Sequence, residues 1–146
     1  MSCSRLLRSL LLALSLSVAG TMPAVACDLV VESAWIRDVP GIMTVAAGYA
    51  RLRNTGTQVL RVKSLDSPDF SAVTAHESRD QRGISTMRPI DIVLSPGATM
   101  EFQPSGRHFM LIDARRALKR GDHVGVSLTD ESGCVTQAAF IVKTAP

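Results

Sequence analysis

At 146 residues and 15.6 kDa the chain has room for one domain and not for two. Apolar residues at 46% and charged residues at 20% are globular proportions and exclude a disordered or fibrous chain, while aromatics at 4% leave any core to Val, Leu, Ile, Ala and Met. The formal charge is +3, yet from Asp28 onward 14 basic residues face 13 acidic ones, about +1, too little basic excess for a nucleic-acid binder.

Residues 1–26 have the order of a secretory signal. Met1 to Arg8 carries two arginines and no acid, Ser9 to Gly20 is Leu-rich, and Ala24-Val25-Ala26 offers small residues at a cleavage site. The apolar run is shorter than the roughly 20 residues that span a bilayer, so cleavage leaves an exported domain over 27–146 with no membrane span, periplasmic in a bacterium. Cys27 would follow the cut directly and could be lipidated. Lipoprotein signals, however, usually place a larger aliphatic residue three before the Cys and run the apolar segment almost up to it. Here Ala24 holds that position and Gly20-Thr21-Met22-Pro23 intervenes, which favours simple cleavage. Cys3 leaves with the leader, and Cys27 and Cys134 remain. In an oxidising compartment two thiols are most simply one disulfide, a pairing inferred from number and compartment alone.

Period-2 alternation predicts short strands through the rest of the chain. Val30, Glu32, Ala34 and Ile36 alternate with Val31, Ser33 and Trp35. Thr44 to Arg53 follows and ends at the turn Asn54-Thr55-Gly56; then come Val59 to Leu65, Phe70 to His76, Gly83 to Met87 and Asp91 to Leu94. Ser95-Pro96-Gly97 precedes Thr99 to Phe102, and Pro104-Ser105-Gly106 precedes Arg107 to Asp113. Arg115 to Arg120 has room for one short helical turn, before Val124 to Leu128 and Cys134 to Val142. Eight or nine short strands, spaced by about ten residues, predict an all-β sandwich or Greek-key barrel with no second domain.

Most reaction chemistries lack their residues. The chain has no glycine-rich phosphate loop, no H-E-x-x-H and no G-x-S-x-G, and no local context singles out a nucleophile, so an enzyme is not expected. Neither Cys27 nor Cys134 lies near a His, against a zinc site, and no His or Met follows Cys134, against a blue-copper ligand loop. What remains is a pattern of His and Met. In a strand His108 and Met110 share a face, with Phe109 and Leu111 on the other. His76 is followed after ten residues by Met87, and a hairpin through the polar segment Glu77 to Arg82 would bring these two together.

Thioether sulfur is soft and neutral and favours Cu(I); in an oxidising compartment it is the soft ligand that survives where thiolates pair off. Imidazole adds affinity. Taken alone the pattern is open to a blander reading, since a strand His is commonly a hydrogen-bonded residue and Met is commonly core filler. Met43 and Met100 have no His partner and read as core or loop, His123 as surface, and Trp35 as core.

Larger similarities surround these residues. Ala34-Trp35-Ile36-Arg37, Ala47-Gly48-Tyr49, Asn54-Thr55-Gly56, His76-Glu77, Met87-Arg88-Pro89, Pro96-Gly97 and Gly106-Arg107-His108-Phe109-Met110-Leu111 together resemble the periplasmic copper chaperones of the PCuAC type. That family's motif is a His, ten residues, a Met, about twenty-one residues, then His-x-Met; here twenty residues separate Met87 from His108. The resemblance implies a cupredoxin-like fold and one Cu(I) held by His76, Met87, His108 and Met110. It implies delivery to a copper-accepting partner, either the copper subunit of cytochrome oxidase or a thioredoxin-like copper protein. Ser78 stands where many members carry Met or Thr. The His- and Met-rich tail tied to Cu(II) in some members has no counterpart in Val142-Lys143-Thr144-Ala145-Pro146. One Cu(I) site without a separate Cu(II) site is therefore expected, on a carrier that works as a monomer; copper storage or tolerance, and a metal-free adhesion or assembly module, are the competing readings.

Overall fold

Branched and aromatic side chains at alternate positions give most of the extended segments one buried side. The computed structural model describes residues 26–38 and 44–145, which form ten strands and, among these residues, no helix. The strands are β1 (Leu29–Arg37), β2 (Val45–Asn54), β3 (Leu60–Asp66), β4 (Phe70–Gln81), β5 (Ile84–Pro89), β6 (Val93–Leu94), β7 (Thr99–Phe102), β8 (Arg107–Ala114), β9 (His123–Asp130) and β10 (Val135–Lys143). The all-β expectation holds. The leader and Met43 lie outside the described residues, and Arg115 to Arg120 forms bends and a turn where a helical turn was expected.

The strands pair in the order β5-β4-β8-β2-β1-β10-β9-β3-β6, with β7 also on β2. Every pairing is antiparallel except β1 with β10. The segment after β5 ties β4 to β3. The Ile90 amide donates to the Ala75 carbonyl on β4 at 3.0 Å, and the Val62 amide of β3 donates to the Ile92 carbonyl at 3.0 Å. The enclosed core holds Ile36, Leu52, Phe70, Leu94, Phe109, Leu111, Val124, Val126, Leu128, Phe140 and Val142, all with 2% exposure or less. Phe109 stacks on Phe102 at 4.2 Å between centroids and meets Phe140 edge-on at 5.7 Å, so the middle residue of His108-Phe109-Met110 is rooted in the densest aromatic packing of the protein.

Simple alternation misreads β1. Its register against β2 shifts between Glu32 and Trp35, and Ser33 there has φ 53°. This bulge inserts one residue and reverses the parity. Leu29 and Val31 point inward before it, Ala34 and Ile36 after it. Trp35 is buried, but it pairs with Tyr49 rather than joining the core; their rings lie 4.6 Å apart on the face opposite Ile36. Met100 packs against the core, and His123 is exposed at the start of β9.

Two features lock the architecture beyond its apolar packing. Asn54, fully buried, ends β2 as the turn signal required. Its amide nitrogen donates to the Gln58, Leu94 and Ser95 carbonyls at 2.7, 3.0 and 3.2 Å, and its side-chain oxygen accepts from the Gly56 amide at 2.9 Å. Gly56 lies so near Asp28 that an added Cβ would collide with the carboxylate. A disulfide joins Cys27 to Cys134, with Cα atoms 5.7 Å apart. It clamps the starts of β1 and β10, the one parallel pair among the described strands, across 107 positions of sequence.

Candidate metal centre

His76 on β4 stands directly opposite His108 on β8. Residues opposite each other across an antiparallel pair share a face, and so do residues two apart on one strand. Met110, two beyond His108, is opposite Thr74; Met87 on β5 is opposite Ser78, two beyond His76. All four residues singled out in the sequence therefore stand on one face of three adjacent strands. The histidines form the central rung and the two methionines lie diagonally to either side, offsets of roughly 7 to 8 Å between Cα atoms that a long thioether chain can span.

The inward residues of the same strands explain why the face is presented. Phe109 and Leu111, at 1% and 0% exposure, hold β8 in the core, while Val73 and Ala75 do the same for β4. Exposure then rises across the three strands. His108 is 8% exposed, His76 and Met110 are half-buried, and Met87 is 56% exposed on β5, all six residues of which are exposed.

The imidazoles are oriented from behind. His108 Nδ1 lies 3.2 Å from the Gly106 carbonyl. A carbonyl only accepts, so Nδ1 carries the hydrogen, and in the neutral ring Nε2 keeps its lone pair for a ligand. The same carbonyl accepts the Ser78 amide at 3.1 Å, so one atom orients the ring and closes the β4–β8 ladder. Thr74 Oγ1 lies 3.2 Å from His76 Nδ1 and steadies that ring from the rung shared with Met110. The two rings are 6.0 Å apart between centroids and inclined at 22°, in a stacked arrangement. Burial, and secondarily the neighbouring His108, lowers the His76 pKa below its ordinary value near 6.5 and favours the neutral, ligating form.

The reverse face of these strands carries charge. Glu77 Oε2 accepts from Arg79 Nε and from Arg88 Nη2, each at 2.9 Å, and Arg107 Nε lies 3.6 Å from Oε1. Hydrogen bonds from Arg88 and Arg79 hold the Glu77 carboxyl below the usual carboxylate range.

The hairpin that was expected to turn over Glu77 to Arg82 instead stays extended through Gln81. It turns at Arg82 and Gly83, both with positive φ. The polar composition of this stretch reflects strands with no core beneath them, which reads in sequence like a loop. Thr74, Gly106 and the Glu77 cluster were not anticipated as parts of the site. For Thr74 and Gly106 the signal was a polar residue or glycine two positions before each histidine in a strand; for Glu77 and its arginines it was a charged residue next to His76, Met87 and His108. Among the described residues no three of His, Cys, Asp and Glu converge as a metal set, so a metal on the two histidines would need other donors, and the methionines on the same face are the soft ones at hand.

Comparison with known proteins places this geometry in context. The family described as LpqE-like, a provisional lipoprotein description, matches residues 29–142. The Leifsonia xyli protein Lxx21020, which carries a provisional lipoprotein name, is 29% identical over 115 residues, covering 77% of this chain and 68% of that protein. The Rickettsia prowazekii protein RP573 is 26% identical over 116 residues, covering 76% of this chain and 63% of its own length. Among solved structures, the apo PCuAC domain from PmoF1 aligns with a TM-score of 0.67 at 19% identity, over 81% of this chain and 95% of the domain. The copper-bound PCuAC domain from PmoF2 gives 0.66 at 21%, over 81% and 94%. The Cu(I) form of DR1885 from Deinococcus radiodurans gives 0.59 at 23%, over 88% and 83%. The fold is thus that of the cupredoxin-like PCuAC domains.

Proposed function

The chain belongs to the LpqE-like family, and from that premise we propose that it is an exported, non-catalytic carrier of one Cu(I), held by His76, Met87, His108 and Met110 and passed to a copper-accepting protein. The observation that carries this reading is the placement of two histidines, opposite each other, and two methionines on one face of three adjacent strands. Such a set is neutral, needs no deprotonated thiol, and matches the softness of Cu(I) better than that of Zn(II) or harder ions. The copper-bound and Cu(I) forms of structural neighbours with the same fold support it.

The exposure gradient supports transfer rather than storage. A buried His108 and a half-buried Met110 hold the ion from β8, inside the sheet, while Met87 is 56% exposed at a sheet edge where an incoming ligand can displace it. The acceptor is of the kind that takes Cu(I) from thioethers, with the copper subunit of cytochrome oxidase or a thioredoxin-like copper protein as the first to try.

Export by a cleaved leader over residues 1–26, with the domain beginning at Cys27, belongs to the same proposal, and the Cys27–Cys134 disulfide suits an oxidising periplasm. A lipid thioether on Cys27 would need the sulfur that the disulfide already uses, so the soluble periplasmic form is favoured over an anchored one.

Anaerobic titration of the exported protein with Cu(I) against a chromogenic chelator tests the reading. One equivalent bound, with Zn(II) a poor competitor, is the expected result. No uptake would return the protein to the metal-free module.

A further inference from the structure

Three of the four supposed ligands on these strands have a charged neighbour in sequence, His76-Glu77, Met87-Arg88 and Arg107-His108, while Met110 lies between Phe109 and Leu111. Alternation sends those neighbours to the reverse face on the same rungs. Glu77 is directly opposite Arg88 of β5 on one side and Arg107 of β8 on the other. One carboxylate thus spans all three ligand-bearing strands, with Arg79 adding a second bond along β4.

The position of this cluster matters because the core has ended there. Ala75 and Phe109 form the last inward rung, and Glu77 with Arg107 is the next. Beyond it β5 has no buried side chain. Besides its backbone ladder to β4 and a bond from the Thr86 hydroxyl to the Arg79 carbonyl at 3.3 Å, this cluster ties the Met87 strand to its neighbours, and of these ties it alone reaches β8. Exposed ion pairs contribute little as a rule, but networks around a shielded member are the exception. The Glu77 side chain is only 15% exposed, although its arginine partners are 42 to 57% exposed.

We propose that Glu77 is a positioning residue for the metal centre: by bridging Arg88 and Arg107 it fixes β5 against β4 and β8 and so presents the Met87 thioether to His76, His108 and Met110. This rests on the reading of those four as the Cu(I) ligands. Glu77 does not touch the ion. It acts through the strand that carries one ligand, as outer residues do in other metal sites, where their loss weakens binding by about 10- to 100-fold.

The test uses the protein recovered after export, with Cu(I) affinity from anaerobic chelator competition. Glu77→Gln keeps the size of the side chain and removes its charge. It is expected to weaken Cu(I) by about tenfold or more and to lower the sulfur count at copper, seen by X-ray absorption, from two towards one. The decisive comparison is with Met87→Ala. If Glu77 acts through Met87, Glu77→Gln/Met87→Ala binds as Met87→Ala does, whereas Glu77→Gln and Met110→Ala add. Amide exchange in the metal-free protein should quicken in β5 and not in β9 or β10. A merely structural role would lower thermal stability and leave the sulfur count alone. Should Glu77→Gln fail to fold, Arg88→Gln takes its place. Affinity and sulfur count equal to the parent's, or full additivity with Met87→Ala, would overturn the proposal while the function stands. A parent that takes up no Cu(I) would overturn the function itself and this inference with it.

Discussion

His76 and His108 face each other across the β4–β8 pair with ring centroids 6.0 Å apart, although 31 residues of chain lie between them. That cross-strand relationship sets two imidazoles from distant parts of the sequence beside each other, the nitrogen pair of the proposed centre. The thioethers of Met110 and Met87 flank it on opposite diagonals.

Met110→Ala should weaken Cu(I) by at least about tenfold, equivalent to about 1.4 kcal/mol, and leave the circular dichroism spectrum unchanged. Met110 is half-buried on the outer face and contributes nothing to the core cluster, and Ser78 on the same face offers no soft donor. Met100→Ala is the control. Met100 packs against the core, so its loss should lower stability and spare copper. The opposite pattern in chelator competition would show that the ligands are assigned wrongly.

Acid should destabilise the metal-free protein through His76. Its folded pKa lies below the ordinary value near 6.5, chiefly from burial and then from His108. The unfolded chain therefore binds more protons than the native one below pH ~6.5. The stability that His76 contributes is complete above that pH and is lost as pH falls from there through the lowered value. Urea titrations between pH 7.5 and 5 should show this decline, and His76→Gln should flatten it. An unchanged slope in His76→Gln would assign the decline elsewhere.

Phe109→Ala should cost about 3 to 5 kcal/mol in denaturant unfolding. Phe109 is buried between Phe102 and Phe140, so a large cavity opens under the strand that presents His108 and Met110. Copper binding should weaken in step with stability. A loss below about 1 kcal/mol would mean that the aromatic cluster collapses around the gap.

Reduction of Cys27–Cys134, or Cys134→Ser, should cost about 2 to 5 kcal/mol, since the bond closes a loop spanning nearly the whole domain. The Cu(I) stoichiometry should not change, because the cysteines lie at the β1–β10 start and the four proposed ligands on β4, β5 and β8. Mass spectrometry of the exported protein should find neither free thiol nor lipid on Cys27. A lipid there would replace the disulfide and with it the soluble form.

The strand segments, their turns at Asn54-Thr55-Gly56 and Pro96-Gly97, and the facing of His108 and Met110 away from Phe109 were all legible in the sequence. Each rests on local information: alternation over a few residues, or a backbone that only certain side chains tolerate. The four His and Met residues were legible too, through their spacing and the family resemblance. The structure supplied what depends on pairing between distant segments. Register across β4, β5 and β8 put His76 opposite His108 and Met87 one diagonal away, and it carried the hairpin through Glu77 where a polar stretch looked like a turn. The bulge at Ser33 reversed the parity of β1 and moved Trp35 out of the core. Glu77, which the sequence offered only as the residue after His76, acquired three arginine partners from three strands. The reason is physical: an extended strand states which residues share its faces, but not which strand lies beside it or at what offset. Those are settled when the aromatic core around Phe109 closes and only one register buries it.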